Sequence, residues 1–217
     1  MSSRLTSLCL LAALAFVCGC NYVVGLGYLL GGPPSIEPEF DRATNKSLTD
    51  ADVRVAVACY APDELKWDNA EVDREIAEFV THRLHSHKIT VCRPERVRAW
   101  IDEHPDWDKP EEIGEGVDVT HVVFIDLSKY SLYEQDAAHL YRGRAEAVIN
   151  VVEKQPDGGW DEIFVKDLIS IYPLAIPRPA SQESFGTFKR KYLERLSEEI
   201  GRLFYEYYNG DDLPDVT

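Results

Sequence analysis

The chain predicts a mixed α/β domain of the order β-α-β-α-β, followed by a long antiparallel hairpin and a closing helix. These elements make a mixed five-stranded sheet with helices packed on it. Three observations carry this expectation. Short β-branched runs alternate with stretches whose apolar residues recur at helical spacing, which implies parallel crossovers. Two long runs with period-two alternation flank a strong turn, which implies a hairpin. The composition, 45% hydrophobic and 28% charged, is that of a chain able to bury a core.

The first strand is Val53-Arg54-Val55-Ala56-Val57-Ala58-Cys59, a run fit for burial on both faces. Asp68 followed by Glu71 reads as an N-cap with its capping-box partner. Val72, Ile76, Phe79, Val80 and Leu84 then recur at helical spacing, predicting a helix over 69–87. Ile89-Thr90-Val91-Cys92 is a second short strand. Pro94 suits a helix's first turn, and Val97, Trp100 and Ile101 give that helix its apolar stripe, ending near Pro105. An acidic connector follows, with one helical turn at Pro110–Gly114, and Val119–Leu127 is the third strand.

The hairpin comprises Leu140–Glu153 and Trp160–Tyr172, joined by Gln155-Pro156-Asp157-Gly158-Gly159. In its first arm Ala145, Ala147, Ile149 and Val151 share one face, with Arg142, Arg144, Glu146 and Asn150 on the other, so one face is wet. The last helix spans 182–208 on the stripe Phe185, Phe188, Tyr192, Leu196, Ile200, Leu203 and Tyr207, with Asn209-Gly210 as its stop. Phe204, Tyr205, Tyr207 and Tyr208 cannot all face one core, which predicts excess aromatic surface there.

Ahead of the domain stands a secretory signal. Arg4 precedes the apolar run LCLLAALAFV, and Val17-Cys18-Gly19-Cys20 resembles the lipobox of bacterial lipoproteins, with Cys18 its unusual member. The apolar run is too short to span a bilayer, which takes about 20 residues. Cys20 is then the first mature residue and carries lipid, each buried methylene contributing about 0.8 kcal/mol to anchoring. The expected divisions are 1–19 signal, 20–51 lipidated tether, 52–210 one α/β domain and 211–217 a short acidic tail. Asn21 stands where an Asp would, in enteric bacteria, mean inner-membrane retention. The resemblance therefore implies a lipid-anchored domain in the periplasm, with the outer membrane favoured over the inner.

A net charge of −15 argues against nucleic acid, whose phosphates need Lys and Arg, and against lying flat on anionic lipid. Five cysteines reduce to two once Cys9 and Cys18 leave with the signal and Cys20 is acylated. Cys59 and Cys92 remain, in a compartment where disulfides persist, either bonded or as two buried thiols.

The segment Glu112-Ile113-Gly114-Glu115-Gly116-Val117-Asp118-Val119-Thr120-His121-Val122-Val123 resembles the entry into the third strand of a group of bacterial envelope lipoproteins. That group includes the curli-secretion lipoprotein and the N-terminal α/β domain of the Tol-system periplasmic protein. The stretch YRGRAEAVINVVEKQPDGGWDEIFVKDLISIYP is similar to their hairpin. The phrases DKPEEIG and LYRGRAEA are similar to those of uncharacterised bacterial lipoproteins. The resemblance covers 53 to about 205 and implies an envelope scaffold or an assembly or secretion accessory with a protein partner. It implies no catalytic residue and no cofactor, and no membrane-spanning hairpin or pore is expected.

Candidate chemistry is sparse. His82, His85 and His87 close the second element, at spacings of three and two. They do not converge on a helix, so a solvated helix end is expected over a metal site. No G-x-S-x-G elbow or phosphate loop is present. Asp126 ends the third strand, where a cleft could form and bind or hydrolyse a small ligand, but a solvated strand end is expected over an acid–base role. The candidate partner-binding set is Tyr130 and Tyr133 on an aromatic loop, with Tyr141, Arg142 and Arg144 across the hairpin, because Tyr and Arg are enriched at interface hot spots. The competing reading pairs the two arginines with Glu134 or Glu146. A purely structural envelope role is the third reading.

Overall fold

The computed structural model describes residues 35–208; the signal, Cys20, the start of the tether and the tail 211–217 lie outside the described residues. Glu37–Tyr207 belong to one compact unit, while Ser35, Ile36 and Tyr208 are the described residues of another and are extended.

The architecture is the predicted mixed α/β. Strand β1 (Val55–Tyr60) pairs in parallel with β2 (His121–Glu134), which pairs antiparallel with β3 (Ala137–Lys154), which pairs antiparallel with β4 (Trp160–Tyr172). A two-residue β5 (Arg178–Pro179) joins the start of β3. The helices are α1 (Glu39–Thr44), α2 (Asp63–Lys66), α3 (Val72–Ser86), α4 (Pro94–Glu103), α5 (Pro110–Gly116) and α6 (Phe185–Gly201).

Two apolar layers sandwich the sheet. Val55, Val57 and Cys59 face a core shared with Ile76, Val80 and Leu84 of α3 and with Phe188, Tyr192 and Leu196 of α6. Ala56 and Ala58 point the other way, against Val97 of α4 and Ile113 of α5. Strand β1 is therefore buried on both faces, as its unbroken apolar run requires.

Two irregularities set which residues reach the core. Along β2 the odd residues Val123, Ile125 and Leu127 face the α3–α6 layer, but Ser128 is an extra residue between Leu127 and Lys129 in the register with β3. The alternation then shifts by one, so that Tyr130 and Leu132 enter the core. Strand β4 shifts likewise at Ile163, which puts Phe164 opposite Val151 and Glu162 opposite Val152. Opposite Tyr192 the core leaves no room for a side chain on β3: a Cβ at Gly143 would overlap the Tyr192 ring.

Several boundaries differ from the sequence expectation. Ile89–Cys92 supplies only an isolated bridge, Val91 to Val55, because Lys88 turns at φ 69° before it and α4 starts at Pro94. The fifth strand is β5 instead. Residues 130–133 are not a loop but the end of β2, which closes onto β3 through a two-residue turn with Asp136 at φ 57°. Asp68 caps nothing: α3 starts at Val72, and the Glu71 carboxylate accepts from Arg74 at 2.9 Å. The last helix ends at Gly201, where tight turns at Leu203 and Phe204 aim Phe204 and Tyr205 inward. Residues 37–51, assigned to the tether, carry α1, and its Phe40 and the following Leu48 are wholly buried. The domain therefore begins near residue 37.

Candidate functional site

At the hairpin end of the sheet, the predicted partner-binding residues fold largely inward. Tyr130 and Tyr141 are buried in the core, Tyr130 against Tyr192 and Tyr141 against Phe188. Arg142 Nε lies 2.7 Å from one Glu134 oxygen and Arg144 Nη2 lies 2.6 Å from the other, so one carboxylate at the hairpin tip holds both guanidinium groups. The Arg144 hydrogen bond, the Gln135 N–H and the Arg142 charge together hold the Glu134 carboxyl below its ordinary range. Arg142 also donates to the carbonyls of Leu174 and Ala175, at 3.4 and 3.2 Å. Cross-strand pairing thus accounts for both arginines. Tyr133 alone keeps 41% of its surface, stacked on Phe185 at 5.7 Å.

The second expectation, a cleft beside Asp126, is met by the geometry. Helices α3 and α4 flank β1 on opposite faces, and between them, at the carboxyl ends of β1 and of its partner segment of β2, lies a cleft of about 780 Å³. Ligands in open α/β sheets bind at this end of parallel strands. The strands present Cys59, Tyr60, Phe124 and Asp126, while Trp107 closes one wall edge-on to Phe124 at 5.9 Å. Ile101 adds apolar surface.

The charges lining it are mostly spent on one another. Arg74 on α3 reaches across to Asp102 on α4 at 2.9 Å, Arg98 lies 3.7 Å from the same residue, and Lys66 lies 2.6 Å from Asp73. Asp126 has no ion pair among the described residues. An acceptor left open beside an aromatic wall suits an ammonium or guanidinium on an apolar stem. Burial pushes the Cys59 thiol up, with the Asp73 charge adding to it, so the sulfur is held as a neutral thiol rather than a nucleophile. No histidine stands in the lining to serve as its base. Arg74, Asp102 and Trp107 were not anticipated, since nothing in the chain links residues 28 positions apart on different helices.

The remaining candidates are dispersed. Cys59 and Cys92 are both free thiols. Cys92 pairs near Val55, four residues from Cys59 along β1, or on the order of 13 Å, and the two side chains lie in opposite layers. That exceeds the roughly 7 Å limit for a bridge, so the disulfide alternative is corrected to two thiols. His82 lies 3.7 Å from Glu78, His85 is exposed, and His87 stacks on Tyr205 at 3.5 Å. Among the described residues no group of three His, Cys, Asp or Glu is placed to hold a metal ion. None of their helices is long and apolar enough to cross a membrane. The C-terminal aromatics are mostly absorbed: Phe204 and Tyr205 are buried, and Arg202 lies 4.6 Å over Tyr207.

No protein-family profile matches the chain, and no curated protein matches it in sequence. Among solved structures it is similar to the PelC dodecamer from Paraburkholderia phytofirmans, at 7% identity and TM-score 0.40, covering 79% of this chain and 96% of that one. It is similar to the hypothetical protein CT253 from Chlamydia trachomatis at 13% identity and TM-score 0.41, over 70% and 96%. Lipoprotein GNA1162 from Neisseria meningitidis matches at 11% identity and TM-score 0.40, over 63% and 88%.

Proposed function

We propose that this chain is a lipid-anchored accessory protein of the bacterial envelope, tethered through Cys20, whose domain holds a segment of a partner protein in the cleft between α3 and α4. The domain faces the periplasm, with the outer membrane the favoured address because Asn21 follows Cys20. In this reading the chain binds and does not catalyse. The observation that carries it is the cleft itself: a concave site of about 780 Å³ at the carboxyl ends of parallel strands, with Trp107 and Phe124 as wall and Asp126 open. A basic side chain on the partner would lay its stem on the aromatic wall and its head against Asp126. The hairpin serves as support, since Glu134 already occupies Arg142 and Arg144.

The test is a photo-crosslinking residue placed at Ile101, in the cleft, or at Val165, on the exposed sheet face, in intact cells. A discrete adduct from position 101 alone, lost on Asp126→Asn, supports the proposal. Absence of any adduct from position 101 sinks the partner reading. A second reading keeps the same cleft for a small cationic ligand, because its volume falls within the usual range for small-molecule pockets. Thermal stabilisation of the purified chain by such a compound, again lost on Asp126→Asn, would favour that reading.

A further inference from the structure

At the other end of β1 from the cleft, three arginines line a second groove, of about 960 Å³. Arg54 immediately precedes β1, and Arg93 and Arg96 stand at the start of α4. Backbone pairing brings them to one rim. The Cys92 N–H donates to the Val55 carbonyl at 2.7 Å, which sets Arg93 beside the entry to the strand. The Thr120 N–H donates to the Arg54 carbonyl at 3.0 Å, and Asp118, at φ 54°, turns the chain just before it. Glu95 and Asp118 are the acids of the lining, so the balance is three bases against two acids in a chain of 23 against 38.

Elsewhere in this acidic chain arginines are matched. Arg74, Arg83, Arg142, Arg144, Arg195 and Arg202 each meet a carboxylate within 3.2 Å. Neither Arg93 nor Arg96 has an ion pair among the described residues. Arg54 has Asp118 at 3.4 Å, a carboxylate 74% exposed, and a pair so open to water contributes little. The half-buried Cys92 lies within reach of these charges. Burial pushes its thiol up, while the Arg96 charge, an Arg93 backbone hydrogen bond and the Arg54 charge pull the other way. Two guanidinium groups therefore bear on one point of the lining, where Val91 and Cys92 supply apolar surface. No side chain caps α4, whose positive dipole end opens there too.

A guanidinium fork matches the paired oxygens of a carboxylate or a phosphate, and the volume is that of a small-molecule pocket. We propose that this groove binds small organic anions, with Arg93, Arg96 and Arg54 on the carboxylate or phosphate and Val91 and Cys92 against the body. An incoming oxyanion would displace the exposed Asp118 from Arg54. The site shares no residue with the Asp126 end of the sheet except Glu95, and it does not rest on the partner-binding reading of that cleft.

The experiment uses the full chain purified from a bacterial envelope, with Cys92 as reporter. Its alkylation by the neutral reagent N-ethylmaleimide, read on the peptide that contains it, is timed with phenyl phosphate, benzoate or chloride at equal ionic strength. Relative to chloride, one or both organic anions should slow the reaction, about threefold at twice the dissociation constant. Which of them acts distinguishes phosphate from carboxylate ligands. The slowing should vanish on combining Arg93→Gln with Arg96→Gln and persist on Arg190→Gln, which alters an exposed pair on α6. Anionic sulfonatoethyl methanethiosulfonate should also modify Cys92 about tenfold faster than its cationic trimethylammonium analogue, each normalised to free cysteine. Rates no slower in either organic anion than in chloride overturn the proposal, as does slowing that survives the loss of both arginines. Protection that appears only when envelope protein is added overturns it as well, by assigning the arginines to an acidic segment of a partner.

Discussion

Phe40 meets Phe164 edge to face, with ring centroids 5.5 Å apart, and Phe204 closes on both. This contact ties the segment before β1 into the core, so the domain's N-terminal limit is set by packing. Phe40→Ala is expected to cost about 3–5 kcal/mol of stability, in the range for a buried Phe, measured by urea denaturation. Chains starting at 37 should unfold cooperatively, whereas chains starting at 52 should not.

Gly143 sits beneath Tyr192 with no room for a methyl group. Gly143→Ala is expected to destabilise by about 1–3 kcal/mol through overpacking. Pairing it with Tyr192→Leu should recover part of the loss, a non-additivity that a double-mutant cycle detects.

The Glu134 cluster predicts an order of effects. Arg142→Gln should lower the melting temperature more than Arg144→Gln, because Arg142 is more buried and also holds two loop carbonyls. Equal effects would mean that the Leu174 and Ala175 contacts contribute nothing. Glu134→Gln should act in the same direction as either.

Burial holds the His121 imidazole below its ordinary value of 6.5, with Lys46 adding to that effect and Glu153 and Asp52 opposing it. Its Nδ1 lies 2.9 Å from Thr120 Oγ1, and Nε2 lies 3.5 Å from Glu153. The unfolded chain therefore takes up this proton more readily than the folded one. Stability is full above about pH 6.5 and falls as the pH drops from there toward the folded value. The urea midpoint should be lower at pH 5.5 than at 7.5. His121→Gln should flatten part of that slope, the remainder tracing to His87, which burial also lowers.

Thiol chemistry offers a further check. Cys92 is partly exposed and should react with a maleimide in the native protein, whereas Cys59 should react only on unfolding. A reductant-sensitive shift in mobility that is lost on Cys59→Ser would contradict the placement of these residues in opposite layers.

Where the chain spoke in simple periods, its structure could be read in advance. The buried run at β1, the stripe Val72-Ile76-Val80-Leu84 and the Gln155–Gly159 turn all appear as expected, because each depends on neighbours within a few residues. Residues 130–133 were misread because one extra residue, Ser128, shifts the alternation, and no local signal marks where a bulge falls. The length of the last helix was overestimated because Leu203 continues the stripe while Phe204 is drawn toward Phe40 and Phe164 by tertiary packing. Asp126 was expected at the end of the third strand; β2 instead runs on to Glu134, and it is the pairing with β1 that stops at Asp126. The walls of its cleft were not legible, because Arg74, Asp102 and Trp107 come together only when α3 and α4 take opposite faces of β1.

Strand β1 is shorter than the strand it accompanies, and its register with β2 stops at Asp126. From Leu127 to Glu134 the outer side of β2 has no strand neighbour among the described residues, and there its register with β3 breaks at Ser128 and again beyond Ser131. A protein confined to a membrane plane meets its own copies at far higher local density than one free in solution, and a straight open strand would invite them to zip edge to edge. The breaks twist this length out of the flat ladder that such zipping needs. For the anchored protein proposed above, the irregularity that steers Tyr130 inward would also guard against two-dimensional polymerisation, and deleting Ser128 would remove the first of its two breaks.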